Sequence, residues 1–288
     1  NVKRIIIHPI KSLPGIEVPS AFYSKAGVQY KGWSDRSFIL VNERLSYDLM
    51  KMPSLALLKL FFHDDELWIE SPNNGILKLN PNYDLKSAKI VEFEYFDAKL
   101  QTIDCGDEIA TWFEKVLDKP GVRLLRHVPE FEYRNGVKLT KKGIVLLKEF
   151  PVVFQFYASC LIINDNSVSD LNKRIPSGET VSYRNFRPNI LVESKPYSEE
   201  NWSLVQIADV TMQFICLCQR CMTTTIDPDT AKRSPEPLKT LKEYRCPKNA
   251  KGFDRKPNFG SVFGVVNEGQ ISVGDRIYAK QKFFKMFA

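Results

Sequence analysis

Short runs of β-branched and apolar residues, interrupted by Asn, Asp, Gly and Pro, are the feature that most limits the folds open to this chain. Runs this short between turn-forming residues are typical of β-strands. Strands are predicted at residues 2–10, 37–43, 55–62, 66–71, 90–96, 123–130, 160–165, 185–194 and 210–218. Two more are expected within residues 259–280, on either side of an Asn-Glu-Gly turn. The chain is therefore predicted to be α+β and β-dominated.

Helical spacing of apolar residues occurs in fewer places. The clearest case is residues 107–119, where acidic residues stand at the front and Lys-Pro-Gly follows the apolar stripe. A short helix is expected at residues 167–175, capped by Asn166 or Ser167, and another at residues 235–245 with Pro at its front. The polar, glycine-containing stretch 131–145 is predicted to be a loop or an interdomain crossing. It divides the chain into two expected domains, residues 1–130 and 131–288.

Composition excludes several classes of protein. The 288 residues carry a net charge of +7, without the dense basic run and interleaved aromatics typical of nucleic-acid binding. The charge is compatible with an acidic partner or an anionic cofactor. Six unevenly spaced cysteines argue against a small disulfide-framed secreted domain, and no apolar run is long enough to span a membrane. Since the chain begins without Met, a targeting or anchoring segment can have been removed before Asn1.

Three cysteines cluster at the end of the predicted strand 210–218. Strand alternation puts Cys216 and Cys218 on the face of Met212 and Phe214, where buried thiols act as small hydrophobic residues. Cys221 falls on the opposite face or beyond the strand, at a turn where sites are often built.

The chemistry of Cys221 is open between a nucleophile and a metal ligand. A zinc site could use Cys218 and Cys221 with Cys246, but a single C-x-x-C is a weak signal, and a redox C-x-x-C would open a helix. A nucleophile requires a base, for which the chain offers His8, His63 and His127. His63 is predicted to be solvated, and His8 is the one worth testing. The remaining hypothesis is a lone thiolate ligand for a soft metal, beside Arg220.

Four separated motifs carry a resemblance to a known family. They are HPIKS at residues 8–12, DR at 35–36, NFRPN at 185–189 and RCMTTTIDPDT at 220–230. Together with PLKTLKEYR and VGDRIY, they resemble the MOSC proteins, and among these the mitochondrial amidoxime reducing components, which are molybdenum enzymes. The resemblance implies a MOSC β-barrel fold in residues 131–288, preceded by a β-rich, barrel-like MOSC N-terminal domain in residues 1–130.

The resemblance also implies roles for individual residues. Cys221 would be the protein thiolate on molybdenum, beside the sulfurs of the pterin dithiolene. The residues that would hold the molybdenum cofactor (Mo-molybdopterin) are Lys11, Ser12, Arg36, Ser159, Arg187, Asn189, Arg220 and Cys221. Asp227 would orient the loop after Cys221. Two positions depart from the family pattern: Gln219 replaces a small serine, and Val262 stands near the place of a tyrosine.

The implied activity is reductive N–O cleavage in N-hydroxylated compounds such as amidoximes, hydroxylamines and N-hydroxylated bases. Electrons would arrive from NADH through cytochrome b5 and NADH-cytochrome b5 reductase. The implied location is the mitochondrial outer membrane, facing the cytosol, with membrane contact only through an N-terminal segment outside this chain. The alternatives are a MOSC protein that carries sulfur on Cys221 and a cofactor-handling protein without turnover.

Overall fold

Strands dominate the computed structural model, which describes residues 1–42, 46–96, 98–140, 143–247 and 256–282. The strands are β1 (Val2–Ile7), β2 (Ile16–Val18), β3 (Ser20–Ser24), β4 (Gly27–Tyr30), β5 (Trp33–Ser34), β6 (Phe38–Val41), β7 (Lys59–His63), β8 (Glu66–Ser71), β9 (Gly75–Leu79), β10 (Ile90–Tyr95), β11 (Ala98–Asp104), β12 (Arg123–Arg126), β13 (Arg134–Thr140), β14 (Gly143–Val152), β15 (Cys160–Asn164), β16 (Ile190–Val192), β17 (Trp202–Ile207), β18 (Val210–Gln219), β19 (Asn258–Asn267), β20 (Gly269–Ser272) and β21 (Ile277–Gln281). The α-helices are α1 (Asp107–Leu117), α2 (Asp165–Arg174) and α3 (Leu238–Tyr244). The β-dominated α+β prediction is confirmed.

The largest sheet joins strands from both ends of the chain. Its order is β2-β1-β16-β15-β19-β18-β17-β21, in which β15 and β16 run parallel and the other neighbours are antiparallel. A four-stranded sheet, β20-β3-β4-β5, likewise joins an early hairpin to a late strand. The smaller sheets are β10-β11-β12-β6, β7-β8-β9 and β13-β14. The main apolar core therefore contains residues as distant in sequence as Ile5, Phe113 and Val205.

The helices form where apolar spacing predicts them, with small changes at their ends. Helix α1 buries Phe113 and Leu117 and ends where Asp118 adopts a left-handed conformation. Helix α2 begins earlier than expected. Its N-cap is Asn164, whose side chain accepts a hydrogen bond from the Asn166 amide, so the prediction of Asn166 or Ser167 as cap is wrong. Within the described ranges, no helix has the length and apolar character needed to cross a membrane.

Several predicted strands are shorter in the structure. Residues 2–10 form only Val2–Ile7 and residues 123–130 form only Arg123–Arg126. In two further cases a 3-10 helix precedes the shortened strand. The first part of residues 55–62 belongs to a 3-10 helix, Pro53–Leu57, because Pro suits the first position of a helix. In residues 185–194 only Ile190–Val192 is a strand, and it follows a 3-10 helix capped by Ser182. The strand predicted at residues 37–43 is observed as β6, with Glu43 outside the described residues.

The predictions for residues 131–145 and for the number of C-terminal strands are wrong. Residues 131–145 are not a loop, because most of them form the antiparallel hairpin of β13 and β14; residues 141 and 142 lie outside the described part. The C-terminal stretch contains three strands where two are predicted. Gly274, with a φ of 95°, allows a further turn after β20, and β21 then pairs with β17.

A bulge in β18 changes the cysteine faces. The register with β19 shifts between Phe214 and Cys216, which breaks strict alternation. Met212 lies in the main core, while Cys218 packs in a separate cluster. Their predicted common face is therefore wrong. Cys218 is nevertheless buried and Cys216 half-buried, as expected for thiols acting as small hydrophobic residues, and burial raises the pKa of Cys216 to about 12.

Candidate functional site

A cavity of about 440 Å³ opens where several strand ends meet. Its walls include segments that follow β1 and β18 and segments that precede β6 and β16. Seven residues of the predicted cofactor set line it: Lys11, Ser12, Arg36, Arg187, Asn189, Arg220 and Cys221. The eighth, Ser159, lies behind the wall with 1% exposure, and its Oγ accepts a hydrogen bond from the Val265 amide at 3.4 Å. The fold thus brings four motifs that are far apart in sequence to one place.

Three of the lining residues have an unusual backbone conformation. Ser12, Arg36 and Arg187 have φ values of 72°, 51° and 56°. This left-handed region is unfavourable for residues other than glycine. A residue keeps such a strained backbone conformation only where the surrounding contacts impose it. Positive φ values in three separate segments of one cavity wall indicate that the wall is held by its hydrogen bonds.

Asp35 is the centre of those hydrogen bonds. The carboxylate is 2% exposed; its Oδ1 accepts from the His8 amide at 2.8 Å and from Asn189 Nδ2 at 3.0 Å. Its Oδ2 accepts from Arg36 Nη1 at 2.5 Å. Gln155 Nε2 donates to the Asp35 backbone oxygen at 2.7 Å. In the DR motif a role was predicted only for Arg36, whereas Asp35 is the residue that joins three of the four motifs.

Cationic side chains crowd one part of the cavity. Burial lowers the pKa of Lys11 to about 8, and its Nζ lies 4.5 Å from the centre of the Tyr95 ring. Burial, followed by the charge of Arg36, lowers the pKa of Arg187 to about 9. Arg36 Nη2 also donates to the Arg187 carbonyl at 3.2 Å. Neighbouring positive charges repel one another, and a bound anion offsets this repulsion and stabilises their charged forms. This part of the cavity therefore suits an anionic ligand.

The Arg220 side chain donates its hydrogen bonds to backbone carbonyls. Its side chain is buried; Nε and Nη2 donate to the Phe259 carbonyl at 2.8 and 2.6 Å, and Nη1 donates to the Phe186 carbonyl at 3.0 Å. These bonds tie the end of β18 to β19 and to the segment before β16. Arg220 therefore positions the next residue, Cys221.

Cys221 is exposed at the start of a 3-10 helix, Met222–Thr225, and its thiol donates to Thr223 Oγ1 at 3.4 Å. The turn that follows is closed by Asp227, whose Oδ1 accepts from the Asp229 amide and from the amide and hydroxyl of Thr230. This is the loop-ordering position proposed for Asp227. Cys221 is thus a solvent-accessible thiol held between two ordered segments.

The rival chemistries for Cys221 find little support in the described residues. Within these ranges, no group of three or more His, Cys, Asp or Glu side chains could hold a metal ion. None of the three histidines lines the cavity. His8 is buried with Nε2 3.2 Å from the Pro188 oxygen, and burial holds its pKa well below the usual range. His127 is also buried, and His63 is exposed, as predicted, against Trp68.

The cavity has an aromatic wall that was not predicted from the sequence. This wall is formed by Tyr95, Phe96, Phe154, Phe156 and Tyr157. Most of it comes from the segment that follows the unpredicted hairpin. The available signal was the aromatic density of residues 150–157.

Both departures from the family pattern, Gln219 and Val262, line the cavity. Gln219 Oε1 is buried and has no hydrogen-bond partner among the described residues. A buried acceptor of this kind suits a ligand with donor groups. Cations, an aromatic wall, an unused acceptor and an accessible soft thiol fit a flat anionic group with polar edges and a thiolate-binding metal, as the molybdenum cofactor is.

Comparison with known proteins agrees with this site. Residues 1–120 match the MOSC N-terminal beta barrel domain, and residues 151–278 match the MOSC domain. Mitochondrial amidoxime-reducing component 1 of Mus musculus is 31% identical, over 96% of this chain and 82% of its own length. The chain belongs to the MOSC family of mitochondrial amidoxime reducing components. Component 2 of Bos taurus, another family member, is 32% identical over the same shares of the two chains.

Among solved structures, the YuaD protein of Bacillus subtilis aligns over 96% of this chain and 92% of its own, with 9% identity and a TM-score of 0.38. A TM-score this low supports no conclusion about this chain. The fold assignment rests on the two domain matches and on the strand-dominated architecture.

Proposed function

We propose that the chain is a molybdenum cofactor-dependent oxidoreductase that reduces N-hydroxylated compounds: amidoximes, hydroxylamines and N-hydroxylated bases. The observation that carries the proposal is the meeting of four distant motifs around one cavity with Cys221 exposed in its wall. The names of the relatives support the amidoxime class of substrate. The reaction consumes two electrons and two protons per N–O bond and yields the reduced nitrogen compound and water.

Each cavity residue has a task in this proposal. Lys11, Arg36 and Arg187 bind the anionic part of the cofactor through charge-assisted hydrogen bonds. Ser12 and Asn189 lie beside them, and Asn189 is held by Asp35. When bound, the cofactor supplies the two-electron redox chemistry.

Cys221 supplies the protein thiolate to the metal, and Arg220 holds its loop. The wall formed by Phe154, Phe156 and Tyr157 excludes water from one side of the substrate. Gln219 Oε1 accepts a hydrogen bond from the N–H or O–H of the substrate or from an edge of the cofactor.

The electron donors proposed for this chain are cytochrome b5 and NADH-cytochrome b5 reductase, and the proposed location is the cytosolic side of the mitochondrial outer membrane. An acidic cytochrome would suit the net charge of +7. The names of the relatives support a mitochondrial setting.

The decisive experiment measures molybdenum and turnover on the same samples. Wild type, Cys221→Ser and Cys216→Ser are compared for molybdenum per chain and for amidoxime reduction with NADH, cytochrome b5 and its reductase. We expect about one molybdenum per wild-type chain and a loss of activity of at least about 100-fold in Cys221→Ser. Cys216 does not line the cavity, so Cys216→Ser is the matched control.

Three results would contradict the proposal in different ways. Zinc without molybdenum would exclude the cofactor. Molybdenum bound with no turnover in wild type would favour a cofactor-handling protein. Persulfide on Cys221 without amidoxime reduction would favour the sulfur carrier.

A further inference from the structure

The hairpin of β13 and β14 exposes an apolar tip. Ile144, Val145 and Leu146 are 59%, 46% and 54% exposed. The register pairs Val137 with Leu146 and Lys138 with Val145. Because successive residues of a strand project from opposite faces, Ile144 and Leu146 lie on one side of the ribbon and Val145 lies on the other. Each of them shares its face with the residue paired to it. Aliphatic side chains are thus exposed on both faces, which is unusual for a strand of a soluble domain.

The base of the same hairpin is firmly attached. Phe150 is buried in a cluster with Cys218 and Val262, and Leu147 packs against that cluster. The Val137 amide donates to the Tyr157 carbonyl at 2.7 Å. The hairpin is therefore anchored to the wall of the cavity, while the described residues leave its aliphatic tip uncovered.

Lysines are frequent in the sequence of this hairpin. Residues 137–148 contain four lysines and no acidic residue, and Glu149 follows them. Lys148 is exposed, and Lys138 stands directly across from Val145. Exposed aliphatic side chains flanked by long cationic ones match the interface of an anionic bilayer: the apolar groups enter the headgroup boundary and the ammonium groups reach the lipid phosphates.

We propose that the hairpin tip, defined by Lys138, Ile144, Val145, Leu146 and Lys148, binds an anionic phospholipid surface. A second copy of the chain fits less well, because two hairpins in contact would oppose lysine to lysine. A protein partner also fits less well, since the centres of protein interfaces favour Trp, Tyr and Arg over Ile, Val and Lys. The proposal does not depend on the reductase function.

The test is co-sedimentation of the 288-residue chain with vesicles of phosphatidylcholine, with and without about 30% phosphatidylserine. We expect wild type to bind the anionic vesicles preferentially and less strongly as salt increases. Ile144→Ser with Leu146→Ser should weaken binding by about tenfold or more. Lys138→Gln with Lys148→Gln should weaken it roughly 25-fold, at about fivefold per lysine, and remove the preference for anionic lipid.

The matched control replaces two other exposed aliphatic residues, Ile76→Ser with Ile90→Ser, and should bind as wild type does. Circular dichroism and thermal unfolding verify that each variant is folded, and the lysine pair tests the proposal even if the apolar pair does not fold. Wild type that sediments no better with anionic vesicles, or a control that loses as much binding as the hairpin variants, overturns the proposal. Sedimentation velocity showing a dimer that the hairpin variants abolish would assign the tip to a second copy instead.

Discussion

Among individual residues, a few polar side chains hold the cavity wall in place through hydrogen bonds to one another. Asp35 accepts hydrogen bonds from Asn189, Arg36 and the His8 amide, so one carboxylate orients three segments. Arg36 then reaches the Arg187 carbonyl. Networks of this kind specify geometry closely because each member, left unpaired, would be costly to bury.

Replacing Asp35 tests this network. Asp35→Ala removes the acceptor of hydrogen bonds from His8, Arg36 and Asn189. We therefore expect the free energy of unfolding to fall by about 3–5 kcal/mol. Asp35→Asn retains an acceptor for two of the donors and should cost less. Urea unfolding of both variants gives the comparison, and equal, small effects would show that the network is not structurally important.

Lys11 gives the site a pH dependence. Burial lowers its pKa from the ordinary 10.5 to about 8, so the ammonium is charged below that pH and neutral above it. Cofactor held by this charge should be retained at pH 7 and released as the lysine loses its proton. Because a bound anion raises the pKa of the lysine, the release should extend from about pH 8 to higher pH. Molybdenum content after dialysis at increasing pH measures the loss. Lys11→Arg, whose charge persists, should retain molybdenum to higher pH, and an identical profile would exclude Lys11 as the cause.

At the scale of elements, the end of β18 is fixed by contacts with two other segments. Arg220 donates to carbonyls of Phe259 and Phe186, and its backbone amide donates to Pro257 at 2.8 Å. The exposed thiol of Cys221 follows at once. The position of the proposed metal ligand is therefore set by the junction of β18 and β19 and by the turn before β16.

Arg220→Lys tests this junction. One ammonium group cannot reproduce the fork that reaches both carbonyls, so we expect a loss of about 2–3 kcal/mol in unfolding free energy, together with lower molybdenum content. The control is Arg184→Lys, an arginine paired at the surface with Asp229, which should change stability by less than about 0.5 kcal/mol. If the two variants unfold at the same urea concentration, the role assigned to Arg220 is wrong.

At the scale of the whole molecule, the two ends of the chain share sheets. Strand β1 pairs with β16, and β3 pairs with β20. We propose the domain division at residues 1–130 and 131–288 for the sequence, yet the eight-stranded sheet and the sheet β20-β3-β4-β5 each contain strands of both parts. Cutting there would expose edges of the largest sheet and part of the main core.

Residues 131–288 alone should consequently fail to fold, and the whole chain should unfold in one transition. Coincident urea curves from tryptophan fluorescence and far-ultraviolet circular dichroism would verify the single transition. Co-expression of residues 1–130 with 131–288 is the control, because it supplies the missing strands. A fragment 131–288 that shows native-like proton chemical-shift dispersion by itself would contradict this expectation.

Local pattern in the sequence was enough for much of the fold. Residues 66–71 alternate and form β8, and the apolar stripe of residues 107–117 forms α1, because period and turn residues act over a few positions. The motifs were enough to nominate Lys11, Arg187 and Cys221 for a cofactor site. In contrast, the bulge in β18 and the hairpin after residue 133 depend on partners distant in the chain, which local pattern does not contain.

Local pattern and motifs were sufficient to predict a strand-rich chain, its family and the residue types available for a site. The folded structure was needed to show that Asp35 is the centre of the hydrogen bonds behind the cavity wall, that Arg220 supports the backbone, that Ser159 lies behind the wall and that aromatic side chains form part of it. Burial and hydrogen-bond partners depend on contacts between segments that can lie more than 180 residues apart, as with the Val2 amide and the Asp275 carbonyl. Spacing along the chain does not encode those contacts.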